Sequence, residues 1–187
     1  MKIILISGKA QHGKDTFANF LKEEFTKINK TCRIIHFGDA VKYVAKEYFS
    51  WDGEKDVAGR AILQKVGTDI VRANDEHFWT DFVARLAPML ECEYLLIPDW
   101  RFEEEHSHLL HYFNYDNIVT IRVNRYELFE NFEHFIPYIN PKMTSAQLCH
   151  RSEMELDEYI TNYIVVNTTL EELAESAQVI AEELTTL

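Results

Sequence analysis

Glycine, proline and cysteine are all scarce in this chain, with six, four and three residues among 187. The prolines are isolated, and no glycine- or serine-rich linker, internal repeat or low-complexity tract is present. Cys32, Cys92 and Cys149 are odd in number and far apart. They make neither a disulfide framework nor a four-ligand zinc site, and they fit a reducing cytoplasm. Basic residues are also outnumbered, 19 against 31 acidic for a net charge of −12. Phosphate neutralisation along a duplex needs clustered Lys and Arg, so nucleic acid is excluded as the main partner. Any phosphate bound here must be held by a local site. Long apolar runs are missing too: Ile3 to Ile6 meets a glycine and charges at once, too short for a signal h-region or a membrane span. The expectation is a cytoplasmic chain with no membrane partner.

What is present is a balance of 47% hydrophobic residues, which at this length suits one globular domain over 1–187. Five strand-sized apolar or β-branched runs stand out: Ile3 to Ser7, Arg33 to Phe37, Tyr94 to Pro98, Ile118 to Val123 and Tyr163 to Asn167. Helical spacing fills the intervals, as in Phe17, Phe20, Leu21 and Ile28. Strands apolar almost throughout, alternating with helices, predict a parallel sheet covered on both faces. Leu170, Leu173, Ala177, Ile180 and Leu184 mark a closing amphipathic helix, with Thr168/Glu171 or Thr169/Glu172 as its capping box. Two connections are long: Ser50 to Leu90, which reads as wholly helical, and Arg125 to Tyr159. They read as functional flaps.

The first strand runs into Gly8-Lys9-Ala10-Gln11-His12-Gly13-Lys14-Asp15-Thr16, which has the GxxxxGK spacing of a Walker A loop. Glycines let successive N–H groups turn inward as an anion nest, the next helix offers its positive end, and a lysine reaches the β- and γ-phosphates. ATP with Mg²⁺ is the ligand this predicts, held by Gly8, Lys9, His12, Gly13, Lys14, Asp15 and Thr16, with the His12 side chain facing solvent. Asp15 stands where Ser or Thr ordinarily meets the metal, and the hydroxyl comes one residue later at Thr16.

Gly-Lys-Asp-Thr after a strand resembles the phage and bacterial deoxynucleoside monophosphate kinase family, a branch of the P-loop kinases. Adenylate kinases, with Gly-Lys-Gly-Thr, share the displaced hydroxyl. Further segments resemble that family in order. Arg60-Ala61-Ile62-Leu63-Gln64 with Gly67-Thr68, Arg72 and Phe78-Trp79 is similar to its Arg-x-x-Leu-Gln-x-x-Gly-Thr segment. Asp99-Trp100-Arg101-Phe102 is similar to its Asp-Val-Arg-Phe motif, with Trp100 for Val and Glu103 for Pro. His150-Arg151-Ser152-Glu153, Leu156-Asp157 and Asn167 resemble its C-terminal signature. The resemblance implies a three-layer α/β/α P-loop fold, a parallel five-stranded sheet in the order 2-3-1-4-5, a monophosphate-binding insertion at about 50–90 and a lid at about 125–160. It also implies transfer of the γ-phosphoryl group of ATP to a nucleoside monophosphate.

The residues suit those tasks, each beside a plainer role. Asp99, after the apolar run Leu95 to Ile97, orients magnesium waters or the acceptor, or caps the helix that follows. Arg101 holds the acceptor phosphate or makes a surface ion pair. Gln64, Arg72 and Trp79 face the acceptor, with core packing as the other reading of Trp79. Asp39 and Lys42 start the monophosphate-binding segment, or are a helix cap and a solvated lysine. Arg125 clamps the transferring phosphoryl group from the lid, while Arg122 alternates toward solvent. Thr16 and Asp99 are the metal candidates. His106, His108 and His111 read as a solvated helix face. Dephospho-coenzyme A kinases and animal-type phosphomevalonate kinases share much of the architecture, and a non-catalytic nucleotide-binding module is the reading from another class. A homodimer is compatible with all of them.

Overall fold

The computed structural model describes residues 1–128 and 135–186. Strand β1 (Lys2–Ser7) lies at the centre of the sheet, paired in parallel with β3 (Tyr94–Ile97) on one side and β4 (Ile118–Leu128) on the other. Outside these lie β2 (Cys32–Ile34) against β3 and β6 (Tyr163–Asn167) against β4, both parallel. The parallel core therefore has the expected order 2-3-1-4-5. A sixth short strand, β5 (Phe135–Pro137), pairs antiparallel with the far end of β4 and makes the sheet mixed.

The two-residue period of a strand divides β1 between two cores. Ile4 and Ile6 face Phe17, Leu21 and Phe25 of α1 (Lys14–Lys27) and Leu173, Ala177, Ile180 and Leu184 of α8 (Leu170–Thr186). Ile3 and Leu5 face Val41 and Ala45 of α2 (Gly38–Phe49), Trp79 and Val83 of α4 (Phe78–Leu86), and Leu109 of α5 (Glu103–Leu109). All four isoleucine and leucine side chains of this run are fully buried, each contributing about 1.5–3 kcal/mol of hydrophobic stabilisation. At the start of α8, Thr169 Oγ1 accepts the Glu172 N–H at 3.2 Å, so the cap is the second of the two expected pairs.

Three expectations change. The second strand stops at Ile34 and not at Phe37, because the Asp99 carboxylate takes the N–H groups of Phe37 and Gly38 and turns the chain into α2. The fourth strand runs five residues past Val123, since its end finds a new partner in β5. The interval after residue 49 is not wholly helical: Ser50 is left-handed at φ 55°, and the loop to Asp56 is pinned by buried Trp51, whose Nε1–H donates to Glu54 O at 2.7 Å. Helix α3 (Val57–Gln64) follows, capped by Asp56, and then widens into a π-helical stretch over Lys65–Arg72. Of the expected lid, residues 129–134 lie outside the described part. The rest comprises the β4–β5 hairpin and the short helices α6 (Ser145–Leu148) and α7 (Arg151–Met154).

Candidate active site

The phosphate loop is shaped by two glycines with backbone that side-chain-bearing residues rarely adopt, Gly8 at φ 145° and Gly13 at φ 95°. A Cβ on Gly8 would drive into the Val123 carbonyl, and one on Gly13 would lie 2.6 Å from Asn167 Nδ2. Asn167 in turn donates to His12 O at 2.9 Å, so the loop is fitted against the ends of β4 and β6. Helix α1 begins at Lys14 and directs its positive end into the loop.

Lys14 is buried, and its Nζ donates to Gly8 O at 2.8 Å and Lys9 O at 2.9 Å. Both acceptors are neutral, so nothing in direct contact balances the ammonium. Burial, and then the nearby Arg101 guanidinium, lower its pKa from 10.5 to about 7. A cradle with this geometry and an undercompensated lysine fits a polyphosphate. Lys9 contributes backbone only, since its side chain turns away to Asp157 at 2.8 Å. Arg122 meets the same carboxylate at 2.7 Å and also donates to Leu156 O. Its expected solvent role is replaced by a tie between β4 and the segment after α7, formed because β4 remains inside the sheet at Arg122.

His12 does not face solvent. Its ring is buried between the loop and the β4–β5 hairpin, where Nδ1 accepts the Arg125 N–H at 3.2 Å and Nε2 lies 3.1 Å from Tyr138 O. Those partners define a neutral imidazole protonated on Nε2. Burial, outweighing the bond to Tyr138 O, lowers its pKa to about 4. Tyr138 also donates from its hydroxyl to Gln11 Oε1 at 2.7 Å, and the Arg125 guanidinium stacks 4.2 Å from its ring centroid.

Two hollows meet at the phosphate loop. A cleft of about 370 Å³ is lined by Gly13, Thr16, Arg125, Asn167, Thr169 and Leu173. A cavity of about 690 Å³ opens on the other side, beneath α2, α3 and the π-helical stretch. Gln11, Lys14 and Asp15 line both. Of the residues singled out from sequence, Lys42, Gln64, Arg72, Trp79, Asp99 and Arg101 line the larger cavity. Arg125 and Thr16 line the smaller cleft, and Asp39 lines neither. Asp39 holds Lys42 at 2.8 Å and accepts the His36 N–H.

Several of these side chains already have partners. Asp99 caps α2 and not the helix after it: Oδ1 accepts from Phe37 N–H at 2.9 Å and Oδ2 from Gly38 N–H at 2.7 Å. The following helix is capped by Glu105, which takes the N–H groups of Arg101 and Phe102. Arg101 Nη1 pairs with Glu153 at 2.8 Å and reaches Ser152 O and Gly8 O. The other Glu153 oxygen accepts the Ala10 N–H of the phosphate loop at 2.9 Å. Arg72 is clamped by Glu105 and by Glu104, with its guanidinium 4.3 Å from the Phe102 ring centroid. Burial, against the pull of Arg72, raises the Glu105 pKa to about 7. Trp79 is at once core and cavity wall, 1% exposed with its Nε1–H on Gly67 O at 3.0 Å; the π-helical turn presents that carbonyl.

Sequence reasoning passed over Glu105 and left Glu153 without a role, although Glu153 stands in a quoted motif. A carboxylate inside an acidic run carries no mark of burial; its partners come from other elements. His36 was also missed. It joins Asp15 at 2.8 Å through Nε2 and Asp39 at 3.3 Å through Nδ1, and the Asp15 bond raises its pKa. Asp15 is thereby tied to the end of β2. The histidines of α5 are partnered, not merely solvated: His106 bonds Tyr159, and His108 pairs with Asp81 at 2.6 Å and stacks on His77 at 3.9 Å. No group of three metal-ligating side chains forms among the described residues. A divalent ion here would be carried chiefly by phosphate oxygens and water, with Thr16 and Asp99 as protein oxygens.

A gluconokinase from Sinorhizobium meliloti 1021 superposes with a TM-score of 0.53 over 99% of this chain and 96% of its own, at 12% identity. The chain has the P-loop kinase fold. The Mycobacterium tuberculosis APS kinase in complex with AMPPNP and APS is also similar, with a TM-score of 0.49, 13% identity and coverage of 98% and 97%. No protein-family profile matches the chain, and no curated protein matches it. Among the described residues, no helix is long and apolar enough to cross a membrane.

Proposed function

We propose that this P-loop kinase fold serves an ATP-dependent nucleoside monophosphate kinase, with deoxynucleoside monophosphates as the acceptors the sequence resemblance favours. The observation that carries the reading is the shared wall. Lys14 and Asp15 line both the cleft of about 370 Å³ and the cavity of about 690 Å³, so two ligands meet at one lysine. In this reading the smaller cleft takes ATP, with Arg125, Asn167 and Leu173 around its nucleoside. The larger cavity takes the monophosphate, with Trp79, Gln64 and Val41 shaping the nucleoside end.

Transfer then needs positioning and charge neutralisation more than covalent chemistry. Lys14, freed from its two loop carbonyls, follows the β- and γ-phosphates. Arg101 donates to the phosphoryl group in flight, with Glu153 yielding its place on the loop. A magnesium ion accompanying ATP would supply further charge neutralisation; Thr16, on the side of the smaller cleft, would hold it, while Asp99, engaged by the Phe37 and Gly38 N–H groups, would act on it through its water shell. The β4–β5 hairpin, held to the loop through His12 and Tyr138, excludes water from the cleft.

The test is coupled ADP release by the purified chain with ATP and Mg²⁺ against each common ribo- and deoxyribonucleoside monophosphate. Turnover that depends on one acceptor class and disappears in Lys14→Ala supports the reading. Turnover with dephospho-coenzyme A or phosphomevalonate alone moves the chain to the rival kinases. ATP binding without any acceptor turnover leaves only a nucleotide-binding module.

A further inference from the structure

The phosphate loop already holds an anion, and the chain itself supplies it. Glu153, on the single-turn helix α7, extends a side chain only 6% exposed to the edge of the loop. Its Oε2 accepts the Ala10 N–H at 2.9 Å and its Oε1 accepts from Arg101 Nη1 at 2.8 Å. Its charge also supports the Lys14 ammonium against burial and against Arg101. A loop amide, a guanidinium and the loop lysine are the donors that a phosphoryl group takes in such a site. Among the described residues, Ala10 offers the one loop N–H that a carboxylate occupies.

The walls of the two hollows place this carboxylate. Ala10, Arg101 and Glu153 line the larger cavity and not the smaller cleft, whereas Lys14 lines both. Seen from the smaller cleft, Glu153 therefore lies beyond Lys14. In a Walker A loop the backbone cradles the inner phosphates and the lysine reaches the β- and γ-phosphates. A triphosphate in the smaller cleft thus sends its terminal group past Lys14 toward the Ala10 N–H, and a diphosphate stops one group short. Only the longer chain meets the like charge of Glu153. Helix α7 is built to give way: it is a single turn with Arg151 and Met154 exposed, and the segment after it is tied down by the ion pairs of Asp157 with Lys9 and Arg122. Such a turn opens at less cost than the sheet it rests on.

We infer that Glu153 is a displaceable gate that sets the specificity of the loop for polyphosphate length. It occupies the position of the terminal phosphoryl group, is expelled by ATP and not by ADP, and releases Arg101 only when a triphosphate arrives. While a diphosphate is bound, Arg101 stays neutralised. The inference rests on the kinase reading for the placement of ATP in the smaller cleft, but the occupied Ala10 amide rests on geometry alone.

Calorimetric titration of the full chain with ADP and with a non-hydrolysable ATP analogue, each with Mg²⁺, tests this. Wild type is compared with Glu153→Gln, which keeps a carbonyl for the Ala10 N–H and loses the charge. The expected result is analogue binding about 10- to 100-fold tighter in Glu153→Gln, with ADP affinity changed by no more than about twofold. The lost charge acts on Lys14 whichever nucleotide is bound, so the ratio of the two affinities isolates the gate. In wild type, the Ala10 amide resonance should shift saturably with the analogue and not with ADP. If thermal melts show Glu153→Gln to be unfolded, that resonance decides alone. An unchanged affinity ratio, weaker analogue binding in the variant, or an Ala10 amide that ignores the analogue makes Glu153 a fixed strut; the inference is overturned and the kinase reading stays intact. The expected ratio without turnover of any acceptor keeps the gate and ends the kinase reading. Binding of neither nucleotide overturns both.

Discussion

Acidification should loosen the phosphate loop through one side chain, His12. Its Nδ1 accepts the Arg125 N–H and its Nε2–H points at Tyr138 O, an arrangement only the neutral ring can make. Protonation sets an N–H against an N–H and adds charge beside Lys14. The folded pKa of about 4 lies below the ordinary 6.5, so between those values the unfolded chain binds more protons than the folded one. Stability contributed by the neutral ring is thus complete above pH 6.5 and is lost as pH falls toward 4. At about 1.4 kcal/mol per pH unit, the interval corresponds to roughly 3 kcal/mol. For a chain of this size that is about 6–12 °C in Tm. Urea unfolding from pH 7 to pH 4 measures it, comparing wild type with His12→Gln, which keeps an acceptor and a donor but cannot titrate. Carboxylates and the remaining histidines contribute equally to both, so the difference isolates His12. Parallel loss of stability in the two proteins would refute the reasoning.

Asp99→Ala removes the acceptor of two N–H groups at the start of α2, and the expected loss is about 2–4 kcal/mol, read by urea denaturation without any ligand. A role confined to metal or substrate would leave apo stability unchanged. Arg72→Met leaves Glu105 buried without its cation and should cost about 3–5 kcal/mol at pH 8. The Glu105 pKa is already raised to about 7, so its folded form binds the proton more readily than its unfolded form. The Arg72→Met defect should shrink on lowering the pH from 8 to 6; a pH-independent defect would exclude this origin.

Much of the fold was legible because its signals are local. Apolar runs such as Ile3 to Ile6 need burial on both faces, and the three- and four-residue spacing from Leu173 to Leu184 needs a helix. Gly8, Gly13 and Lys14 announced the loop because backbone conformation and charge there admit few alternatives. The strand order came with the family resemblance, and no local pattern encodes it. The β5 pairing, with Phe135, Ile136 and Pro137 all exposed, lacks the alternation that marks a half-buried strand. Partner choice was not legible at all. Asp99 meets Phe37 and Gly38, Arg72 meets Glu104 and Glu105, and His12 meets Tyr138, each across a gap in sequence that only the folded chain closes.

The central claim is that one phosphoryl group passes directly between two ligands that meet at Lys14. The most direct test follows label from [γ-³²P]ATP in the presence of Mg²⁺ and the full monophosphate panel. The account predicts label in a nucleoside diphosphate, little in inorganic phosphate, and none transferred by Lys14→Ala. Label recovered only in inorganic phosphate, or transfer that survives Lys14→Ala, would contradict it.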